Sequence, residues 1–386
     1  MTGALHGVRV VEIGSLGAAP FAAMVLADHG ADVLRVERPD KAPLPGAEVR
    51  DDLVAWDILS RGRRSAGIDL RHPDGAALVA SLCDRADVLI EGLRPGVMER
   101  LGVGPEVLCD RNPRLVYGRL TGWGRTGDRA ERVGHDINYI GLSGVLTHIG
   151  RAGDPPAVPL NIAGDFGGGG LLLAFGICAA LVERLVSGKG QVVDAAMVDG
   201  AALLMAPLFG AHGSGFWSDE RGTNLLDSGA PFYDCYECAD GRFVAVGAIE
   251  ERFFAELLRG LDLGEDPSVP AQHDQGAWPD LRRRLAERFL TRPRDAWAAV
   301  FIDLDACVSP VLTMGEAPHD PHLRAWGTFI APGGTEQPAP APRFSRSDPG
   351  VPSPPQVAGA NTDAVLAEWG VADDEVRRLR DVGAIR

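Results

Sequence analysis

The 386-residue sequence has little of what marks a secreted, membrane-bound or nucleic-acid-binding protein. Its start has no basic segment followed by an apolar one, so we expect no signal peptide. The longest uncharged apolar stretch, Phe166 to Val182, is shorter than the ~20 residues of a membrane span and predicts a buried helix. Because 53 acidic residues outnumber 38 basic ones, the formal charge of −15 argues against nucleic acid or an anionic membrane as partner.

Disulfide and metal frameworks are also missing from the sequence. The six cysteines show no framework spacing, so we expect a reduced, cytoplasmic protein. Cys235 and Cys238 have the spacing of a metal pair, but residues three apart on a strand point to opposite faces. No second pair completes a zinc site, and we therefore expect no metal.

Neither common nucleotide-binding loop is present. In the turn that begins at Gly14, the second glycine (Gly17) comes one place late for a dinucleotide fingerprint, and the third is absent. No phosphate-binding GxxxxGK[ST] loop occurs, and we expect no separate cofactor. The run Gly167–Gly170 could cradle an anion or allow close backbone packing, and the sequence leaves both open.

The first two hundred residues alternate apolar strand patterns with helical ones. Predicted strands cover Val8–Ile13, Asp32–Glu37, Arg64–Leu70, Asp87–Ile90, Leu115–Leu120 and Gln191–Ala195. A long helix is predicted from about Gly169 to Val186. Strand–helix alternation of this kind indicates parallel strands joined by right-handed crossovers, which is an α/β fold.

The length favours two domains, and the pattern changes near Asn224. A hairpin is predicted around the Asp240-Gly241 turn, with helices at Glu251–Leu261, Pro279–Phe289 and Arg294–Phe301. We predict a large Rossmann-like parallel-sheet domain over residues 1–224, with a linker from about 201, and a smaller α/β domain over 225–320. Residues 321–386 would return and complete the large domain.

Two polar segments between apolar runs carry candidate chemistry. The first is Gly134–Tyr139, which contains His135, and the second is Asn161–Gly168, which contains Asp165. An imidazole and a carboxyl group are well suited to moving a proton near neutral pH. Asp165 stands where a loop enters a helix, so the helix dipole favours its anionic form. From spacing alone, a helix-capping aspartate and a hydrogen-bonded core histidine are equally good interpretations.

Long motifs along nearly the whole chain resemble a known family. They read GVRVVEIG, GADVLRVERP, ADVLIEGLRPGVMERLG, TGWGRTG, GHDINYI, GDFGGGG, SGKGQVVDAAMVDG, YECADGRFVAVGAIE and APRFS. In this order they are similar to the family III CoA-transferases, and specifically to the α-methylacyl-CoA racemase branch. The sequence departs from the family pattern between Arg38 and Ile68, where it is longer than usual.

The resemblance implies catalytic roles for three residues. His135 and Asp165 would exchange roles as acid and base on opposite faces of the α-carbon of a 2-methylacyl-CoA thioester, and Glu250 would support the histidine. The product would be the other enantiomer, formed through an enolate whose oxygen needs a preorganised donor. A backbone N–H of the His135–Asp136 turn is our candidate. The resemblance also implies an interlocked homodimer, in which Glu250 reaches His135 across the subunit boundary.

Arginines are dense at the predicted strand ends, where α/β folds bind ligands and where guanidinium groups can hold the phosphates of CoA. They include Arg35, Arg61, Arg63 and Arg64, and we expect about half of the set to be ordinary surface residues. The resemblance implies CoA contacts at Arg38, Ile68, Asp69, Leu70, Arg71, Gly92, Leu93, Arg94, Arg100, Gly134, Asp136, Ile137, Asn138 and Tyr139.

Three alternatives stay open. In a CoA-transferase the aspartate attacks the thioester, but such enzymes carry a glycine-rich loop where this sequence has Val246–Glu251, and they usually lack the histidine. A non-catalytic acyl-CoA-binding homologue conflicts with the intact His135, Asp165 and Glu250. An epimerase acting on an unusual acyl-CoA is the third.

Overall fold

A computed structural model describes residues 2–41 and 56–386 of the chain. The segment in which we expect extra length, between Arg38 and Ile68, falls partly on residues 42–55, which lie outside the described residues.

The chain forms two compact units. The first comprises residues 1–143, 160–204 and 321–386, and the second comprises 144–159 and 205–320. These units differ from the expected domains in two segments, 144–159 and 205–224, which pack with the second unit.

The first unit is built on a six-stranded parallel sheet of order β3-β2-β1-β4-β5-β6. Its strands are β1 Arg9–Ile13, β2 Asp32–Glu37, β3 Arg64–Gly67, β4 Val88–Glu91, β5 Val116–Thr121 and β6 Val192–Ala196. All four residues of β4 are buried, as expected for a parallel strand covered on both faces. The predicted α/β sheet is therefore confirmed, and β2 has the predicted bounds.

Helices cover both faces of this sheet. In chain order they are α1 Ala18–Asp28, α2 Pro73–Cys83, α3 Val97–Arg100, α4 Pro105–Arg111, α5 Asp136–Leu142, a π-helix Ile162–Leu171, α6 Leu172–Ser187 and α7 Met197–Leu204. One core cluster packs α1 and α6 on the sheet face that carries Val10 and Val33. On the other face, a second cluster joins α2 to the C-terminal residues Val365, Leu366 and Trp369.

The second unit contains α8 Ala206–Gly213 and a three-stranded antiparallel sheet of order β7-β8-β9. Its remaining elements are β7 Tyr233–Glu237, β8 Phe243–Gly247, α9 Glu251–Gly260, α10 Trp278–Phe289, α11 Arg294–Phe301 and β9 Val308–Pro310. The predicted hairpin is present, since β7 and β8 pair antiparallel across the Asp240-Gly241 turn. Cys235 is exposed and Cys238 is buried, as the opposite-face argument requires.

The C-terminal part of the first unit follows. It contains α12 Pro321–Trp326, β10 Phe329–Ile330, β11 Gln337–Pro338, α13 Thr362–Glu368 and α14 Asp373–Asp381. Short 3-10 turns lie at Pro39–Lys41, Ile58–Ser60, Leu146–His148, Gln275–Ala277, Ala317–His319 and Pro332–Gly334.

The long apolar helix differs from its prediction in length and burial. The π-helix and α6 run together over residues 162–187. By length and composition alone this helix could cross a membrane, and 39% of its most apolar 18-residue stretch is buried. Leu173 and Ile177 pack in the core, whereas Phe175, Val182 and Leu185 are exposed. The prediction of a buried helix is therefore wrong for this outer face.

The glycine run at the start of that helix serves close packing. A Cβ at Gly168 would lie 2.6 Å from the backbone nitrogen of Ala201 in α7, and one at Gly170 would lie 2.6 Å from the carbonyl oxygen of Ala18 in α1. Glycine lets the π-helix approach both neighbours at backbone distance. Of the two alternatives for Gly167–Gly170, the contacts favour packing.

Candidate active site

The candidate site lies at the carboxyl ends of the central strands. β1 leads into Ser15–Gly17, β4 into Gly92–Arg94, and β5 into Gly122–Trp123. A Cβ at Gly92 would meet the Ser15 side chain at 3.1 Å, so the first two loops are in direct contact. Parallel sheets bind ligands at this edge, because loops from several strands converge there.

His135 caps the N-terminus of α5. Its backbone N–H donates to Oδ1 of Asn138 at 3.0 Å, which satisfies a group that the first helical turn leaves free. The side chain of His135 is exposed and not part of a core cluster. The interpretation of His135 as a core histidine is therefore wrong.

Asp165 lies in the first turn of the π-helix. Its Oδ2 accepts a hydrogen bond from Nδ2 of Asn161 at 3.1 Å. The helix begins after Asn161, so Asp165 is not its capping residue. A Cβ at Gly17 would lie 3.8 Å from Oδ2, which places the β1 loop against the carboxyl group. Gly17 has a φ of 75°, a conformation that also favours glycine.

The surroundings of Asp165 raise the pKa of its carboxyl group. Burial is the largest cause, and the negative charge of Asp136 acts in the same direction. The hydrogen bond from Asn161 and the nearby His135 lower the pKa by less. The position at a helix start was expected to favour the anion, and burial outweighs it. The carboxyl group is thus suited to carrying a proton, and the imidazole is close enough to act on it.

Asp136 connects the turns that carry His135 and Asp165. Its carboxylate is buried, and Oδ2 accepts hydrogen bonds from the backbone N–H groups of Gly164 at 2.6 Å and Asp165 at 2.8 Å. Because Asp136 follows His135 directly, these bonds fix the start of α5 against the start of the π-helix.

Tyr139 packs beneath the His135 turn. Its hydroxyl donates to the carbonyl oxygen of Gly134 at 2.6 Å, and its ring meets Trp123 edge to face at 4.7 Å. A Cβ at Gly122 would lie 2.3 Å from the Tyr139 ring, so only glycine fits there. Burial, with smaller effects of Asp165 and Asp136, raises the pKa of the Tyr139 hydroxyl. Tyr139 therefore braces the turn as a neutral side chain.

A cavity of about 230 Å³ brings several predicted site residues together. Its lining includes Leu93, Arg94, Gly134, His135 and Tyr139. Within the described ranges 2–41 and 56–386, Arg94 and Arg100 form no ion pair, so their guanidinium groups are available to an anionic ligand.

The other predicted CoA residues lie at the ends of β2, β3 and β4 and in α5. Arg38 and Arg71 are exposed, and both lower the pKa of the Asp40 carboxyl group, chiefly through the Arg38 hydrogen bond. Ile68 has its side chain in the core, so only its backbone can face a ligand. The remaining members are partly or fully exposed: Asp69, Leu70, Gly92, Ile137 and Asn138.

The other four of the dense arginines also pair with carboxylates, as Arg38 does with Asp40 and Arg71 with Asp69. Arg61 pairs with Asp28 and Arg63 with Glu12, and both pairs are buried. Arg35 pairs with Glu12 and Glu37, and Arg64 pairs with Asp32 and Glu368. Arg61 and Arg63 are therefore not among the half of the set that we expect to be ordinary surface residues, and they hold the loop before β3.

Glu250 lies in the second unit, directly before α9, with an exposed side chain. Its carbonyl oxygen accepts the first backbone hydrogen bond of α9, from Phe254 at 2.9 Å. Among residues 2–41 and 56–386, no three His, Cys, Asp or Glu side chains converge in a way that could hold a metal ion.

Comparison with known proteins identifies the family. The model of CoA-transferase family III matches residues 5–362. The chain belongs to CoA-transferase family III. It is 46% identical to the alpha-methylacyl-CoA racemase of Mus musculus over 381 residues, 97% of this chain and 96% of the relative. It is 45% identical to the human alpha-methylacyl-CoA racemase over 97% of this chain and 96% of the relative.

Two further proteins are similar at lower identity. The succinyl-CoA–D-citramalate CoA-transferase of Chloroflexus aurantiacus is 29% identical over 97% of this chain and 96% of its own length. A crystal structure of a CaiB/BaiF family protein from Brucella suis superposes with a TM-score of 0.81, at 28% identity, and covers 96% of this chain and 100% of that one.

Three features of this family III site were missed from the sequence. The first is the Asp136 carboxylate, which accepts backbone hydrogen bonds from the turn of Asp165 and depends on tertiary geometry. The second is the hydrogen bond from Asn161 to Asp165, for which the four-residue spacing at a helix start was a usable signal. The third is Glu91 at the end of β4, whose Oε2 accepts the Leu93 N–H at 2.7 Å. Burial raises the pKa of Glu91 to about 7.

Proposed function

We propose that the protein is an isomerase that interconverts (R)- and (S)-2-methylacyl-CoA thioesters. The observation that carries this proposal is the exposed imidazole of His135 within electrostatic reach of the Asp165 carboxyl group, whose pKa is raised by burial. The identity of 45–46% to two alpha-methylacyl-CoA racemases, against 29% to a citramalate CoA-transferase, supports it.

The chemistry follows from the two groups. One of them removes the α-proton, and the electron pair of the C–H bond moves into the thioester carbonyl to form an enolate. The other group delivers a proton to the opposite face, and the carbonyl re-forms. His135 and Asp165 exchange these roles with the handedness of the substrate. Of the backbone N–H groups of the His135–Asp136 turn, that of His135 donates to Asn138, so that of Asp136 would stabilise the enolate oxygen.

CoA is part of the substrate in this proposal, and the reaction requires no further cofactor. The exposed arginines Arg38, Arg71, Arg94 and Arg100 would bind its phosphates, since guanidinium groups match phosphate oxygens. We further propose a cytoplasmic homodimer in which Glu250 of the partner subunit orients His135. The exposed apolar face of α6, with Phe175, Val182 and Leu185, supports association with a second copy.

Hydroxylamine trapping separates this proposal from acyl transfer. In a transferase, Asp165 attacks the carbonyl carbon, expels the CoA thiolate and forms an acyl anhydride that hydroxylamine captures. In the racemase, the carboxyl group exchanges only a proton and forms no anhydride. We therefore expect no acyl-CoA-dependent inactivation by hydroxylamine. Inactivation that requires acyl-CoA and is lost in Asp165→Asn would make the protein a transferase.

A further inference from the structure

We propose that Asp136 is a positioning residue, whose buried carboxylate fastens the turn that carries His135 to the turn that carries Asp165 and whose negative charge acts on the Asp165 carboxyl group. The inference rests on the proposed function, because it takes these two side chains as the proton-transfer pair.

Asp136 is linked to both His135 and Asp165. One oxygen, Oδ2, receives two consecutive backbone N–H groups, at 2.6 Å from Gly164 and 2.8 Å from Asp165. A Cβ at Gly164 would lie 2.7 Å from the same oxygen, so the approach depends on glycine. His135 precedes Asp136 in the chain, and any shift of this carboxylate therefore moves the backbone beside both proton carriers.

Burial makes Asp136 a costly choice for a purely structural contact. The residue is 4% exposed, and its Oδ1 has no hydrogen-bond partner among residues 2–41 and 56–386. In the same ranges it forms no ion pair with an arginine, lysine or histidine. A buried carboxylate without a cation is unfavourable, although its two charge-assisted bonds to backbone N–H groups offset part of that cost. A role in the reaction therefore explains the buried carboxylate of Asp136 better than a structural contact alone.

The charge of Asp136 acts on Asp165. The groups that face Asp165 are Asp136, His135 and Tyr139 from α5 and its first turn, and Asn161, which directly precedes the π-helix. Burial is the largest influence on the Asp165 carboxyl group and raises its pKa, and Asp136 raises it further. Burial and the charge of Asp136 thus both act against ionisation of the Asp165 carboxyl group.

Two substitutions separate the roles of the acceptor and of the charge. Asp136→Asn keeps an oxygen for the two N–H groups and removes the charge, whereas Asp136→Ala removes both. The direct readout is the pH titration of Asp165 in protein labelled with ¹³C at the aspartate carboxyl carbon, with the signal assigned by its loss in Asp165→Asn. The second readout is the pH profile of kcat/KM for a 2-methylacyl-CoA.

We expect Asp165 to titrate at lower pH in Asp136→Asn than in the parent, and the acidic limb of the profile to move the same way. Asp136→Ala should lose about 10²-fold in kcat with KM little changed, since a misplaced acid–base group costs about this much. Asp87→Asn is the matched control. That carboxylate also accepts a backbone N–H, from Arg9 at 2.9 Å, but it lies before β4 at the opposite sheet edge. Asp87→Asn should leave the pH titration of Asp165 unchanged.

An Asp165 titration that is the same in Asp136→Asn and the parent would overturn the inference, and so would full activity in Asp136→Ala. If Asp136→Ala does not fold, the Asn variant decides alone. The titration needs no turnover. If Asp165 titrates at lower pH in Asp136→Asn and the parent protein racemises no acyl-CoA, the role of Asp136 is supported and the proposed function is contradicted.

Discussion

At the residue scale, the environment of Asp165 differs most from what its place in the chain suggests. A carboxylate at a helix start is expected to be anionic. Here burial raises its pKa, and Asp136 and His135 adjust it in opposite directions. The pKa of this carboxyl group is thus set by residues distant in sequence as well as by its place at a helix start.

We predict that His135→Ala and Asp165→Asn each lower racemisation at least about 10²-fold, because general acid–base groups contribute typically 10²–10⁴-fold. The Kd for a non-reacting CoA thioester should stay nearly the same, since neither side chain holds the nucleotide. Racemisation assays and calorimetric titration check both parts. His6→Ala, which removes an exposed histidine from the N-terminal turn, is the control. Near-normal turnover in Asp165→Asn would contradict the two-base mechanism.

Glu91 gives a prediction about stability and pH. Burial raises its folded-state pKa from the ordinary 4.5 to about 7. The folded state therefore binds this proton more tightly than the unfolded state, so stability falls as pH rises from 4.5 to about 7 and stays reduced above that. The loss is on the order of 3 kcal/mol at most, from 1.36 kcal/mol per pKa unit.

Glu91→Gln keeps an acceptor for the Leu93 N–H without the ionisable proton. Its melting temperature should exceed that of the parent at pH 8 and nearly equal it at pH 5, as measured by thermal unfolding. An equal difference at both pH values would show that Glu91 does not titrate in this range.

At the element scale, the strands of the large sheet could be predicted and the site helices could not. Apolar runs such as Val88–Glu91 can be recognised in the sequence, because strands of a sheet that is covered on both faces are mostly apolar. The seven-residue helix α5 was not predicted, since His135, Asp136 and Asn138 interrupt its apolar pattern. The long helix was predicted to begin at about Gly169, but its π-helical first turns begin at Ile162, because they are held by tertiary contacts with Asp136.

The proposed catalytic pair was identified from family motifs, while spacing left a structural interpretation equally open. The geometry decides against that interpretation for the exposed His135. Which arginines are free to bind an anion was also beyond the sequence, since the partners Asp28 and Glu12 of Arg61 and Arg63 are distant along the chain.

Gly122 tests how tightly the α5 turn is seated. A Cβ there would lie 2.3 Å from the Tyr139 ring, so Gly122→Ala must displace this ring from Trp123 and from the Gly134 carbonyl. We expect a loss of about 1–3 kcal/mol in the free energy of unfolding, typical of overpacking, together with a lower kcat. Denaturant unfolding measures the first and racemisation the second.

Gly210→Ala is the matched control for this substitution. Gly210 is exposed in α8, and an added Cβ meets no atom within 4 Å. It should unfold at the same denaturant concentration as the parent or slightly above it. If Gly122→Ala behaves like Gly210→Ala, Tyr139 is not held as the structure indicates.

At the scale of the whole molecule, the proposed dimer makes α6 an interface helix. Leu185 is 80% exposed within one chain, although it continues an apolar face. We predict that Leu185→Asp shifts the light-scattering mass from dimer to monomer, because burying a charge without a partner is costly. Activity should fall with it, since Glu250 of the partner subunit would be lost. Glu183→Gln, on the same helix, should remain dimeric and active.

One result would contradict the proposed dimer. A parent protein that is already monomeric and racemises acyl-CoA would show that the site is complete within one chain.

The central claim is proton transfer at the α-carbon, and α-proton exchange tests it most directly. A single enantiomer of a 2-methylacyl-CoA is incubated with the protein in deuterated water, without any acceptor acid, and followed by NMR and chiral analysis of the acyl group. We predict deuterium at the α-carbon together with loss of optical purity. Retention of the α-proton and configuration, with CoA transferred only when a second carboxylic acid is added, would contradict the account and make the protein a transferase.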